Sequence, residues 1–145
     1  MSSNILVVGS INMDLITVLE RFPKVGETLL GQTFTTALGG KGSNQAVAAA
    51  RLGAQVAMIG AVGDDANGDA ALKILRQEGV DCSGIAVKTG MSTGIASITV
   101  AEGDNHIIVV SGANFALGLA DIDAHAELFA AADVVLCQLE IPMDC

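Results

Sequence analysis

The chain has 145 residues, is 51% hydrophobic, and carries 16 acidic against 7 basic side chains for a formal net charge of −9. That length supports one domain with a real core, and that composition excludes a disordered segment. The acidic balance and the lack of Trp and Tyr exclude a nucleic-acid binder, which needs a basic surface and stacking aromatics.

Ile5 to Val8 is a short apolar run ending at Gly9, the pattern of a buried parallel strand. Leu15 to Leu19 and Thr28 to Ala37 are Thr-rich and interrupted by Gly31. They predict two exposed strands joined by a turn over Phe22 to Gly26. Ser43 to Leu52 is dense in alanine and predicts a helix that stops at Gly53. Val56 to Val62 predicts a second buried strand. Asn67 to Gln77 predicts a second helix, with Ala71, Leu72, Ile74 and Leu75 on one face and Gly79 closing it. Gly63-Asp64-Asp65 reads best as its cap. Ile85 to Val87 is a short strand. Two β-branched runs around Glu102 to Asn105 predict a hairpin. Asp121 to Ala131 predicts a third helix with Asp121 or Asp123 as N-cap, and Val134 to Leu139 a last buried strand.

Strand and helix alternate for most of this length, which predicts a parallel α/β layer. The Thr-rich segments break the alternation twice. They are either two surface hairpins or one small sheet that covers a site. No internal repeat and no low-complexity linker is evident.

Cys82, Cys137 and Cys145 form an odd, scattered set with no C-x-x-C pair, which argues for reduced thiols and a cytoplasmic setting. His106 and His125 have no partner at ligand spacing, so no metal site is expected. The first residues lack a basic n-region, so no signal peptide is expected. No charge-free apolar stretch approaches the roughly 20 residues of a membrane span.

Leu38 to Gly53 places Gly39, Gly40, Lys41 and Gly42 directly before a helix, an arrangement that commonly holds an anion. A Walker loop requires Gly-Lys followed by Ser or Thr and a glycine five places upstream. Here Gly42 follows Lys41, and the upstream position is Thr35. A dinucleotide loop requires Gly-x-Gly-x-x-Gly, and Gln45 occupies the last position. The glycines therefore serve a different ligand.

In open parallel sheets, ligands sit beyond the carboxyl ends of the strands. Three groups fall there: Asn12 and Asp14 after the first strand, Lys41 and Asn44 at the opening of the first helix, and Glu140 after the last strand. Carboxylates accept from paired hydroxyls, while amide and ammonium groups donate to the remaining lone pairs. Bare glycine backbone permits close approach. The set suits a neutral polyhydroxylated ligand. Each residue has a plainer alternative: Asp14 as a turn cap, Asn12 in a left-handed position, Lys41 and Glu140 as solvated charges, Asn44 as a helix-entry residue.

The segments "GSINMDL", "FPKVGETLLG", "GGKGSNQAVAAARLGAQVAMIGAVGDDANG", "STGIASITV", "SGAN" and "LCQLEIP" together resemble the PfkB family of carbohydrate kinases, in the family's order and over essentially the whole chain. The Gly-Gly-Lys-Gly-x-Asn-Gln block is the most specific of them. The resemblance implies a three-layer α/β sandwich, present in part, with a small β-sheet lid at about 15–37 and 95–110. It also implies that the lid closes the sugar site and pairs two subunits into a homodimer. By motif, Asn12, Met13, Asp14, Gly39, Gly40, Lys41, Gly42, Ser43 and Asn44 bind or line the sugar, ribose, and Glu140 contacts it from the other side. The implied reaction is phosphorylation by ATP with Mg2+ and a monovalent cation, K+. The family's Gly-Ala-Gly-Asp-like motif, with its general base and phosphate nest, does not occur in these residues. The expectation is an N-terminal portion that carries the sugar site and no catalytic base. The alternative is a catalytically inactive sugar-binding or interaction module. A dinucleotide-dependent oxidoreductase is disfavoured by the broken glycine fingerprint.

Overall fold

The computed structural model describes residues 3–145. Four strands build a parallel sheet in the order β5-β4-β1-β8: β1 (Asn4–Val8), β4 (Gln55–Gly63), β5 (Val80–Lys88) and β8 (Val134–Cys137). Side chains alternate across a strand, and β1 shows it: Val7 enters a cluster with Met58, Val62 and Leu75, while Leu6 and Val8 enter another with Ile59 and Leu117. Both faces are covered at the central strands, which is why β1 and β4 read as continuous apolar runs.

Helices α1 (Lys41–Arg51) and α2 (Ala66–Gln77) cover the first face, burying Ala46 and Ala71, Leu72 and Leu75. The second face is covered by a 3-10 turn over Gly112–Ala116 and by α3 (Leu119–Asp123) and α4 (Ala126–Ala131). Asp65 caps α2, accepting from the Gly68 N–H at 2.9 Å. The result is an α/β sandwich, with a second sheet standing apart from it. Among the described residues no helix is long and apolar enough to cross a membrane.

The second sheet has the order β3-β2-β6-β7, from β2 (Asn12–Val18), β3 (Thr33–Gly39), β6 (Gly94–Ala101) and β7 (Asp104–Val110). β2 and β6 run parallel, and the outer pairs are antiparallel. The Thr-rich segments thus meet in one sheet rather than in separate hairpins. The β6–β7 turn is Glu102-Gly103, both at positive φ, as a tight two-residue hairpin requires.

Several boundaries differ from the sequence expectation. β2 begins at Asn12, so Asn12 and Asp14 belong to a strand of the second sheet rather than to a loop after β1. β3 begins at Thr33. The preceding loop is tied by an Arg21–Glu27 ion pair and by Phe22 stacked on His106 at 3.9 Å. β5 runs from Val80, well before Ile85; it is the sheet's edge, so its polar Asp81 and Ser83 are tolerated facing solvent. The expected single helix over Asp121 to Ala131 is two, broken at Ala124-His125. Asp121 lies inside the first of them, where its carboxylate accepts from the Gly118 N–H at 2.8 Å and pairs with Lys88 at 2.6 Å. β8 ends at Cys137, short of Leu139, and it is not the buried strand expected: it forms the other edge of the sheet, with Val134, Val135 and Cys137 exposed.

Candidate functional site

The chain passes between the two sheets at Gly9-Ser10-Ile11, Gly39-Gly40, 89–93 and Ser111-Gly112, and polar groups concentrate at this seam. Gly40 has φ +89, and a Cβ there would lie 2.7 Å from the Asn12 nitrogen and 2.8 Å from the Ser10 carbonyl. Only glycine adopts that backbone without strain. A Cβ on Gly42 would lie 2.6 Å from the Gly9 carbonyl carbon and the Ser10 nitrogen, so the first turn of α1 rests directly on the end of β1. Ser43 fixes the contact: its N–H donates to the Ser10 carbonyl at 3.0 Å, and its buried hydroxyl is shared between the Gly39 and Gly40 carbonyls. The start of α1 is thus partly occupied by the protein's own carbonyls.

Beyond β8, Gln138 and Glu140 return to the same point. Gln138 Oε1 accepts from the Ser10 N–H at 3.0 Å, and Glu140 Oε2 accepts from the Ser10 hydroxyl at 3.1 Å. Glu140 Oε1 pairs with Lys41 Nζ. The Lys41 hydrogen bond, opposed by burial and helped by Ser10, holds the Glu140 carboxyl below its ordinary pKa. A cleft of about 250 Å³ opens here, lined by Ser10, Asn12, Asn114, Phe115, Leu139 and Glu140 among others.

Asn12 and Asp14 are two apart in β2 and share a face. Asp14 sits over Gly39, where a Cβ would overlap its carboxylate, and burial raises its pKa above the usual value. A carboxyl that loses water without gaining a cation or a donor is one that a ligand hydroxyl can satisfy. Met13 points the opposite way, into the core beside Ile11 and Met58. Asn44 is exposed and borders a separate hollow with Leu38, Val47 and Arg51.

Of the residues singled out in the sequence, the structure therefore gathers Asn12, Lys41 and Glu140 around Ser10. Asp14 stands one step along β2. Gly39, Gly40, Gly42 and Ser43 form the supporting turn, and Met13 and Asn44 face elsewhere. Sequence reasoning missed Ser10, Gln138 and Asn114. All three lie inside the quoted "GSINMDL", "LCQLEIP" and "SGAN" segments, so the signal was adjacency to residues already chosen.

An α/β layer whose strand ends meet a second sheet over a cleft lined by two amides, two serines, a carboxylate and apolar side chains is the frame that the comparisons match. A family model described as "pfkB family carbohydrate kinase" matches residues 2–139, and the chain belongs to that family. It is 50% identical to the ribokinase of Bacillus subtilis, over 96% of this chain and 47% of the relative. It is 42% identical to the mouse ribokinase, over 94% and 43%. The structure of Arabidopsis thaliana ribokinase complexed with ribose and ATP superposes with a TM-score of 0.86 at 36% identity, covering 98% of this chain and 47% of that one. The chain spans about half the length of these relatives.

Proposed function

We propose that this chain is the sugar-binding portion of an ATP-dependent kinase that phosphorylates ribose. The observation that carries the proposal is the convergence of Asn12, Asp14, Lys41 and Glu140, from three distant parts of the sequence, on one seam. The Asp14 carboxylate accepts from sugar hydroxyls, and Asn12 and Lys41 donate to sugar oxygens. Glu140 holds Lys41 in place and offers a further acceptor. The similarity to ribokinases, one of them complexed with ribose and ATP, supports ribose as the sugar and ATP as the phosphoryl donor.

The second sheet acts as a lid. Its β7 strand is exposed throughout, with Ile107, Ile108, Val109 and Val110 open to solvent. That apolar edge suits a second copy of the same sheet, and a homodimer is the assembly we infer. Phosphoryl transfer needs a base at the attacking hydroxyl and donors on the moving phosphate. Neither a Gly-Ala-Gly-Asp-like motif nor a Walker loop occurs in the sequence. Among the described residues no three His, Cys, Asp or Glu side chains gather to hold a metal ion.

The test is calorimetric titration of the purified chain with ribose, fructose, adenosine and ATP, paired with an ADP-release assay. Ribose binding without ribose-dependent ADP release is expected. Preference for adenosine, or turnover at ordinary kinase rates with host enzyme excluded, would overturn the assignment.

A further inference from the structure

We propose that Asn114 is a positioning residue for ligand recognition: it locks the Asn12 carboxamide with the oxygen turned inward and the NH2 turned to the cleft. The inference rests on the sugar-binding reading of the seam. It starts from a donor of unambiguous identity. The Ile11 backbone N–H donates to Asn114 Oδ1 at 2.8 Å, which fixes the orientation of the Asn114 amide. Its Nδ2 must then be the atom that faces the Ile11 carbonyl at 3.0 Å, the Ser111 carbonyl at 3.0 Å and Asn12 Oδ1 at 2.8 Å. With Asn12 Oδ1 committed to that bond, Asn12 Nδ2 is the end left over. It has no protein partner among the described residues, no described buried side-chain nitrogen or oxygen lacks one, and Asn12 lines the cleft. The Asn12 corner of the site therefore presents donors only.

Two features mark this arrangement as built. Asn114 is 1% exposed and Asn12 5%, so the bridge is shielded from competing water. The bridge also crosses directly over Gly94, where a Cβ would overlap both Asn12 Oδ1 and Asn114 Nδ2. Because Asn114 binds both Ile11 and Ser111, it joins two of the four crossings between the sheets. The same side chain thus sets the polarity of the Asn12 corner and the position of the strand that carries it.

The experiment uses ribose as the probe and the whole chain. Asn114→Asp, assayed at mildly alkaline pH, replaces the inward NH2 by an oxygen that faces three acceptors. Asn12 relieves this by turning its NH2 inward and its oxygen into the cleft. Ribose affinity is expected to fall about ten- to a hundredfold, and Gly94→Ala, which parts the two amides, is expected to reproduce the fall. In an Asn12→Ala background the Asn114→Asp change should cost less than about twofold. A merely structural role would persist in that background. On the unaltered chain, side-chain amide NMR provides a check that needs no variant: ribose should shift the Asn12 NH2 signals and leave those of Asn114 slow to exchange and little moved. Wild-type affinity in Asn114→Asp, an undiminished effect in the Asn12→Ala background, or ribose-induced shifts at Asn114 without any at Asn12 would overturn the positioning role alone. Failure of the unaltered chain to bind ribose would overturn the sugar-binding reading beneath it.

Discussion

The two sheets of this protein are held by different physics. In the first, β4 is buried along nearly its whole length and apolar packing on both faces fixes it. In the second, β7 is exposed at every position and β3 at most of them. Its inner strands bury few large apolar side chains, Met13 foremost, so directional bonds at the four crossings help to fix its placement. Ser43 closes the Gly39-Gly40 crossing, Asn114 joins the Ile11 and Ser111 crossings, and Asp65 with Thr93 closes the fourth. The difference teaches why the polar residues gather where they do. The side chains bonded at the crossings are spent on one another, and they leave the Asn12 NH2 and the Asp14 carboxylate beside them without a protein partner among the described residues.

The sharpest way to break the comparison is to separate recognition from anchoring. Asp14→Ala removes a recognition group from the second sheet and breaks no hydrogen bond at a crossing. With two charged hydrogen bonds at roughly 1.5–3 kcal/mol each, ribose affinity should fall by about 10² to 10⁴, measured by calorimetry. Thermal stability should be retained. An affinity within a few-fold of the unaltered chain would remove Asp14 from the site.

Asp65→Ala does the reverse. Asp65 caps α2 and accepts from the Thr93 N–H at 3.0 Å and hydroxyl at 2.6 Å. Losing the cap and orphaning Thr93, which is fully buried, should cost roughly 2–4 kcal/mol, visible in urea unfolding. Unchanged stability would show that this crossing is not held by its hydrogen bonds.

The same two aspartates give opposite pH signs. For Asp65, burial raises the pKa, but the Thr93 and Gly68 hydrogen bonds outweigh it and the net value is lowered. Its stabilisation is fully present above the unfolded pKa of about 3.9 and is lost as pH falls through the lower folded value. For Asp14 the folded pKa is raised by burial, so its ionisation opposes folding and acidification relieves the cost. The ionised form accepts from hydroxyls more strongly than the protonated one, so ribose binding should weaken on acidification at a higher pH than an ordinary aspartate would give. Binding titrations from neutral to mildly acidic pH check this, with Asp14→Asn expected to flatten the profile.

The smallest effect on stability belongs to the exposed ion pair. Lys41→Met should change stability by less than about 1 kcal/mol, since the lysine is largely solvated and such pairs contribute little. It should let the Glu140 pKa rise toward its usual value, measurable by carboxyl NMR, because Lys41 is the foremost cause of its depression.

How far the sequence foretold this follows from the same contrast. Apolar runs and alanine-rich helices report local periodicity, so β1, β4, α1 and α2 were placed with their cores. The glycine pattern excluded phosphate loops, and Asn12, Lys41 and Glu140 were legible as strand-end polar groups. The bonds at the crossings were not legible. Asn114 meets Asn12 across 102 residues and Ser10 meets Gln138 across 128, and no local spacing encodes such pairs. The edge strand β5 was shortened because Asp81 and Ser83 mask its start. The break at His125 was hidden because the alanine-rich sequence on both sides favours helix.

The central claim is that the seam between the sheets holds the sugar. NMR titration of the labelled chain with ribose tests it most directly. Saturable shifts should cluster at Ser10, Asn12, Asp14, Lys41 and Glu140 while the α2 face stays unmoved. Shifts centred on the hollow beside Asn44 and Arg51, or none that saturate, would contradict it.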